Sequence, residues 1–286
     1  MADIYKRILS IQDISCVGQC SLTVALPIIS ACGIECAVLP SAVLSTHTGG
    51  FKGFTFRDLT DDMPLIEKHW NSENIRFDAV YTGYLGSVRQ IDIVKSIIDS
   101  TAKEGAPIII DPAMADNGKL YYGFDDVFVS AMRTLAAKAD YILPNITEAS
   151  LLTGMEYREK YDEAYVEALI KGLTSLGAKN VVMTGVSYRD GFTGVVVHEN
   201  GVPRYYEHKR ISGGCHGTGD IYASAFAGAF ENGIGAYDAA VIAADYTVKC
   251  IENTQGHSDH WYGARFEGAL PFLISSIASV SSKGNA

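Results

Sequence analysis

Pro107-Ile108-Ile109-Ile110-Asp111 constrains the fold more than any other stretch of this chain. Three branched apolar residues in a row, closed by a carboxylate, predict a short strand buried on both faces, as in a parallel sheet covered by helices. Similar β-type runs alternate with helical ones. Arg7 to Gln12 predicts a buried strand, Cys20 to Cys32 a helix distorted at Pro27, and Cys36 to Leu44 a β segment. Ile66 to Trp70 and its neighbours predict a helix, Phe77 to Tyr81 a strand, and Ile91 to Lys103 a helix closed by Gly105. Asp126 to Ala137 is helical, Tyr141 to Leu143 a strand, Glu163 to Leu176 a helix closed by Gly177, and Asn180 to Thr184 a strand. Two β-rich runs, Gly194 to His198 and Arg204 to His208, flank Asn200-Gly201, a dipeptide that favours a tight hairpin. The remainder predicts helices after Asp220, over Ala236 to Glu252 and over Glu267 to Ala278, with a tail expected to fray from Ser281. This is an α/β pattern: a mostly parallel central sheet with helices on both faces. No internal repeat or linker-like break divides the 286 residues, so one domain is expected, and 48% hydrophobic residues suffice for its core.

Ligands of such sheets bind beyond the carboxyl ends of the strands. Asp13, Tyr84, Asp111, Asn145 and Thr184 each end or follow a predicted strand, which gathers them round one cleft. Gly213-Gly214-Cys215-His216-Gly217-Thr218-Gly219-Asp220 is a small-residue loop leading into the alanine-rich run Ile221 to Phe230. Glycines let backbone amides approach an oxyanion, and a helix start adds positive polarity. A carboxylate there repels an anion unless it has another task, such as taking a proton from an attacking hydroxyl. Asp220 also reads as a charge that stabilises the helix dipole. Phosphoryl transfer needs an orienter for the attacking hydroxyl, fixed positive polarity for the moving group and a metal for the triphosphate. Asp220 fits the first requirement, and the amides of Gly217, Thr218 and Gly219 supply an anion hole for the second. Asp111 and Glu148 fit the third, since Mg²⁺ takes a few carboxylates with water and phosphate oxygens. Asp111 reads equally as a turn acid before Pro112, and Glu148 as a helix-start charge after Pro144-Asn145. Neither Gly-x4-Gly-Lys-Ser/Thr nor a strand-linked Gly-x-Gly-x-x-Gly is present, so a nucleotide would be held by another device.

Gly217-Thr218-Gly219-Asp220 before a small-residue helix resembles the signature of the ribokinase-like small-molecule kinases. Leu9 to Asp13 is similar to the first strand of the pyridoxal kinases, and Leu44 to Gly50 to their His-Thr-Gly segment. Thr82 to Ser87, Asp111 to Met114 and Pro144 to Glu148 follow in that family's order. The resemblance implies ATP-dependent phosphorylation of the 5′-hydroxymethyl group of a B6 vitamer, with Mg²⁺ accompanying ATP and a monovalent cation as a further cofactor. It implies Asp220 as the catalytic acid–base group, and Asp13, Val17, Thr48, Tyr84 and Cys215 on the substrate side. Asp111, Asn145, Glu148 and Thr184 would face ATP and its phosphates, with Asp111, Glu148 and Asp116 near the metal, often through water. Asp13 departs from the family's common serine; an acid suits a protonated pyridine nitrogen or a different substrate. Leu143 stands where a threonine near the monovalent cation is common. A Cys215 thiol could add to an aldehyde substrate, with His216 lowering its pKa, or Cys215 is simply a small loop residue. His216 is similar to the hydroxymethylpyrimidine kinases of thiamine synthesis, which supply the rival substrate. A sugar kinase fits the His-Thr-Gly and Thr-Gly-Tyr segments poorly, and a non-catalytic vitamer- or nucleotide-binding protein would gain nothing from Asp220. The resembling kinases are commonly homodimers, so a second copy joins the substrate and ATP as an expected partner.

Twenty-three basic against 33 acidic residues, a net charge of −10, argue against nucleic acid or an anionic membrane as partner. No apolar run is long enough to span a bilayer, and Met1 to Arg7 lacks a secretory layout, so a cytoplasmic location is expected. Cys16 and Cys20, and Cys32 and Cys36, are spaced by four, which on a helix would share a face. Without a CxxC pair, small buried hydrophobes are expected of them rather than disulfides or a metal. His257-Ser258-Asp259-His260 reads as a solvated loop.

Overall fold

The computed structural model describes residues 5–212 and 215–283, the side chains of 281–283 aside. Gly213 and Gly214 of the glycine loop and the last three residues of the tail lie outside that range. The strands are β1 (Arg7–Ser15), β2 (Glu35–Leu44), β3 (Phe56–Asp58), β4 (Ala79–Thr82), β5 (Ile108–Ile110), β6 (Ala115–Asp116), β7 (Lys119–Leu120), β8 (Tyr141–Ile142), β9 (Asn180–Val186), β10 (Phe192–Glu199) and β11 (Val202–Lys209). Nine of them form one sheet in the order β11-β10-β9-β8-β5-β4-β1-β2-β3, and β6 and β7 form a separate hairpin. Pairing is parallel from β9 through to β2; β3, β10 and β11 are antiparallel additions at the edges. The helices are α1 (Leu22–Ala31), α2 (Met63–Ser72), α3 (Val88–Thr101), α4 (Asp126–Ala136), α5 (Ile146–Thr153), α6 (Glu163–Leu176), α7 (Thr218–Glu231), α8 (Ala236–Thr254) and α9 (Leu270–Lys283).

Strand alternation builds two cores. Ile109, Ile8 and Tyr81 join one core with α1, α7, α8 and α9. Ile108, Ile110, Leu9 and Val80 join the other with α2 to α6. The continuous apolar run of β5 thus serves both faces, as the sequence predicts. Ile109 and Ile110 are fully buried, each stabilising the fold by roughly 1.5–3 kcal/mol over an exposed side chain. The chain leaves β1 for β2 on one side and returns for β4 on the other, so the strand order reverses at β1. A crevice at such a reversal is where open α/β sheets take ligands.

Several elements depart from expectation. β1 runs past Gln12 to Ser15, through a register shift against β2 between Gln12 and Ile14. Asp13 therefore lies at a strand irregularity, not after a strand end. α3 begins at Val88 because the Ser87 hydroxyl accepts the Gln90 amide at 3.3 Å. α9 continues to Lys283, beyond the expected fray point at Ser281. The short elements β3, β6 and β7 lie outside the expected pattern, whereas α5 begins where Glu148 reads as a helix-start charge. Asn200 (φ 53°) and Gly201 (φ 79°) form the expected hairpin turn, and Asn117 (φ 49°) and Gly118 (φ 75°) repeat that left-handed pair between β6 and β7.

Candidate active site

The glycine loop becomes helix earlier than the sequence suggests. Gly217 (φ 76°) precedes α7 with no side-chain cap, and the first main-chain bond runs from the Ile221 amide to the Gly217 carbonyl at 2.9 Å. The amides of Thr218, Gly219 and Asp220 thus have no acceptor within the helix and form a positively polarised turn. Asp220 is the third residue of α7 and sits inside that turn. The left-handed backbone of Gly217 excludes larger residues, and a Cβ there would overlap the Gln19 carbonyl oxygen. The turn after β1 is therefore pressed against the start of α7.

That contact brings Asp13 and Asp220 together. Ser21 donates its hydroxyl to Asp13 Oδ1 at 2.6 Å, and Ser15 donates to Asp13 Oδ2 at 3.2 Å. Asp13 is 5% exposed, and burial raises its pKa against those two bonds. Asp220 keeps some exposure at the cleft, yet protein surrounds its carboxyl closely enough to push its pKa up to about 7. Burial is the main cause; the Ser21 amide opposes the rise, and the Asp13 charge adds to it. Tyr84 lies beside Asp13, its phenol pushed up to about 12 by burial and by that carboxylate, and its ring stacks on Phe124 at 5.5 Å.

A second acid pair stands at the ends of β5 and β8. Glu148 belongs to a capping box on α5: Asn145 Oδ1 accepts the Glu148 amide at 2.9 Å, and Glu148 Oε2 accepts the Asn145 amide at 2.9 Å. Its other oxygen, Oε1, accepts the Met114 amide at 3.1 Å and the Ala115 amide at 3.5 Å. Asn145 Nδ2 donates to the Ala115 carbonyl at 2.8 Å, so both polar ends of that side chain are committed to the protein. Asp111, at 7% exposure, accepts no side-chain hydrogen bond among the described residues. Burial and the charges of Glu148 and Asp220 raise its pKa well above the carboxylate range. Burial pushes Glu148 to about 8 despite its amide bonds. Asp116 is exposed on the β6–β7 hairpin, binding Asn117 through both oxygens, and acts on Glu148 through its charge. Thr184 is bridged to Asn145 across the sheet, and its amide donates to the Pro144 carbonyl at 2.9 Å. Sequence reasoning missed Tyr121, whose phenol burial and the charges of Glu148, Asp111, Asp116 and Asp220 all raise. Nothing in the pair Tyr121-Tyr122 signals that position.

The remaining expected residues lie on the rim. Thr48 is exposed, and Val17 is 53% exposed with its amide on the Ser45 carbonyl and its carbonyl on the His47 amide. His47 accepts the Gly49 amide at Nδ1 (3.0 Å) and faces the Tyr262 carbonyl with Nε2 (2.6 Å). That pair requires a neutral ring protonated at Nε2, and burial lowers the His47 pKa in accord. Burial raises the Cys215 thiol, which agrees with the small-loop-residue reading rather than with activation by His216. All six cysteines are free. Among the described residues no three His, Cys, Asp or Glu side chains approach closely enough to hold a metal ion, and no helix is long and apolar enough to cross a membrane.

Known proteins of similar sequence and fold identify the family. A protein of Bacteroides thetaiotaomicron assigned to the phosphomethylpyrimidine kinases, crystallised with pyridoxal, is 36% identical, with a TM-score of 0.88 over 94% of this chain and 96% of that one. Pyridoxal kinase from Lactobacillus plantarum is 32% identical, with a TM-score of 0.87 over 94% and 97%. Pyridoxal kinase of Dictyostelium discoideum is 32% identical over 67% of this chain and 63% of its own length, so this chain spans somewhat less than two thirds of that relative. The phosphomethylpyrimidine kinase family model matches residues 28–263. The chain has the ribokinase-like fold and belongs to the phosphomethylpyrimidine kinase family.

Proposed function

We propose that this chain transfers the γ-phosphoryl group of Mg-ATP to the 5′-hydroxymethyl group of a B6 vitamer. One observation carries the reading: Asp220, on an uncapped glycine-led helix start, lies beside the buried acid Asp13 near the carboxyl end of β1. Asp220 takes the hydroxyl proton as the substrate oxygen bonds to the γ-phosphorus, and the bond from that phosphorus to the ADP oxygen breaks. The free amides of Thr218 and Gly219 stabilise charge on the moving phosphoryl group. Asp13 pairs with the protonated ring nitrogen, a charge-assisted partner that offsets its burial. Pyridoxal in the Bacteroides structure and the pyridoxal kinase relatives support a vitamer as substrate.

The acids also suit Mg²⁺ carried by ATP. Asp111 is a buried carboxylate with no donor among the described residues, facing two further acids, and a cation there relieves its repulsion. Glu148, with both oxygens on amides, acts through water, and Asp116 lies further out. Bound magnesium would neutralise charge on the triphosphate. Thr184 lines the phosphate side. Thr48, Val17 and Cys215 line the substrate rim. Leu143 is buried and offers no side-chain oxygen, so no monovalent cation is assigned to it. The reading extends to a homodimer in the cytoplasm, as the resemblance implies. The rival substrate is hydroxymethylpyrimidine, in keeping with the phosphomethylpyrimidine kinase family and a hydroxymethylpyrimidine/phosphomethylpyrimidine kinase relative in Bacillus subtilis.

An ADP-release assay with Mg-ATP and pyridoxal, pyridoxine, pyridoxamine, hydroxymethylpyrimidine and ribose tests the proposal. The highest kcat/KM is expected with a vitamer. A higher value with the pyrimidine transfers the function to the rival, and no ADP with any acceptor overturns catalysis.

A further inference from the structure

Ser21 occupies the residue before α1, where a serine ordinarily turns its hydroxyl onto the helix amides. Here it makes no cap. Its hydroxyl is 2.6 Å from Asp13 Oδ1, the residue is 4% exposed, and its backbone (φ 54°, ψ −134°) lies where side chains other than glycine are strained. The same turn is held on α7 by the close approach of the Gln19 carbonyl to Gly217. The Ser21 amide thereby faces the Asp220 carboxylate. One buried residue thus touches both acids with two different donors, at the expense of its helix cap and of backbone strain. Strain of this kind persists where the surroundings enforce it, commonly at functional sites.

We propose that Ser21 is a positioning residue that joins ring recognition at Asp13 to acceptor activation at Asp220. The inference rests on the functional reading above. The hydroxyl favours the charged form of Asp13 against burial and sets its orientation, and the amide holds Asp220. A cationic ring that docks on Asp13 cancels the charge repelling ionised Asp220, so the base becomes competent as the substrate arrives. The groups facing Asp13 are Asp220 on α7, Tyr84 after β4 and Cys20 in the same turn. Those facing Asp220 are Asp13, Asp111, Tyr81, Cys20 and Tyr121. None of these side chains is a cation, so a charge on the ring has no protein competitor among them.

The test is a double-variant cycle. Ser21→Gly removes the hydroxyl, keeps the amide and relieves the strained φ; Ser21→Ala removes the hydroxyl alone. Pyridoxine affinity is measured by calorimetry from pH 5 to 9 for both variants, for Asp13→Asn and for Asp13→Asn with Ser21→Gly. Ser21→Gly is expected to melt no lower than the parent yet bind pyridoxine roughly tenfold or more weakly, as for loss of a hydrogen bond to a charged group. On the Asp13→Asn background the same change is expected to cost little. Equal losses on both backgrounds overturn the proposal. If the parent binds hydroxymethylpyrimidine and not pyridoxine, the B6 reading fails, and the same cycle with the pyrimidine still decides the role of Ser21. Carboxylate ¹³C titration of Asp13 in the ligand-free protein tests the link with no substrate. Its midpoint is expected to rise in Ser21→Gly, because a donor to the charged form is lost. An unchanged midpoint overturns the proposal.

Discussion

Glu148 and Asp220 occupy the same place in two helices, the third residue of α5 and of α7, and the protein uses them in opposite ways. Around Glu148 every nearby donor is engaged. Asn145 caps the helix, and three amides bond to the carboxylate. Around Asp220 the helix is led by a glycine that has no side chain to cap it, and among the described residues its first amides bond no protein acceptor. An acid bound by its own helix start is a structural element that lends its charge to the cleft. An acid beside vacant amides, facing a second carboxylate, leaves room for an anion and a proton to move. Sequence position is identical; the residue at the cap decides the outcome.

The largest effect expected from breaking this contrast is on turnover. Asp220→Asn should lower kcat by ~10²–10⁴-fold, as for loss of a general base, with Tm held or raised because a buried acid is removed. Near-parental kcat would make Asp220 a helix charge only. Glu148→Ala should act the other way round. It strands the Asn145, Met114 and Ala115 amides and should destabilise the fold by about 1–3 kcal/mol, read from urea unfolding. Stability equal to the parent would deny the capping role. Glu148→Gln, which keeps an acceptor, should lose less.

A third contrast is the pH dependence of stability. Folding raises Asp220 from 3.8 to about 7 and Glu148 from 4.5 to about 8. Between those limits the folded state holds protons that the unfolded state has released, so both acids make stability fall as pH rises from about 4 to about 8. Asp220→Asn should flatten the fall of Tm up to about pH 7 and leave the remainder to Glu148. A slope identical to the parent's contradicts the burial assigned to Asp220.

What the sequence reveals depends on how local the cause is. The β5 triplet Ile108-Ile109-Ile110 is legible because both faces must be apolar, and α6 is legible at both ends through Glu163 and Gly177. Asn200-Gly201 announces its hairpin because long β runs flank it. Asn117-Gly118 carries the same turn, but its strands are two residues each and no apolar alternation advertises them. α5 is legible only at its start, in Asn145 and Glu148, because it is eight residues long and mostly buried, without a polar stripe to set a period. In the site, Asp220, Asp111, Glu148 and Asp13 stand out as acids at strand or helix ends. Ser21 does not, since it falls inside the helix expected over Cys20 to Cys32 and carries no signal of its own until the structure turns its hydroxyl onto Asp13. Tyr121 is brought to the acids by the unforeseen hairpin, a long-range event with no local signature.

On the proposed function Asp220 is the proton acceptor and Glu148 is not. Rapid-quench measurement of the first turnover of vitamer phosphorylation, from pH 5 to 9, tests it most directly. The parent rate should rise as Asp220 loses its proton, with a midpoint at or below about 7, since a cationic ring at Asp13 lowers it. Glu148→Gln should keep that profile, and Asp220→Asn should be slow and flat across the range. A pH-dependent rise that survives in Asp220→Asn and vanishes in Glu148→Gln would reverse the two roles and contradict the account.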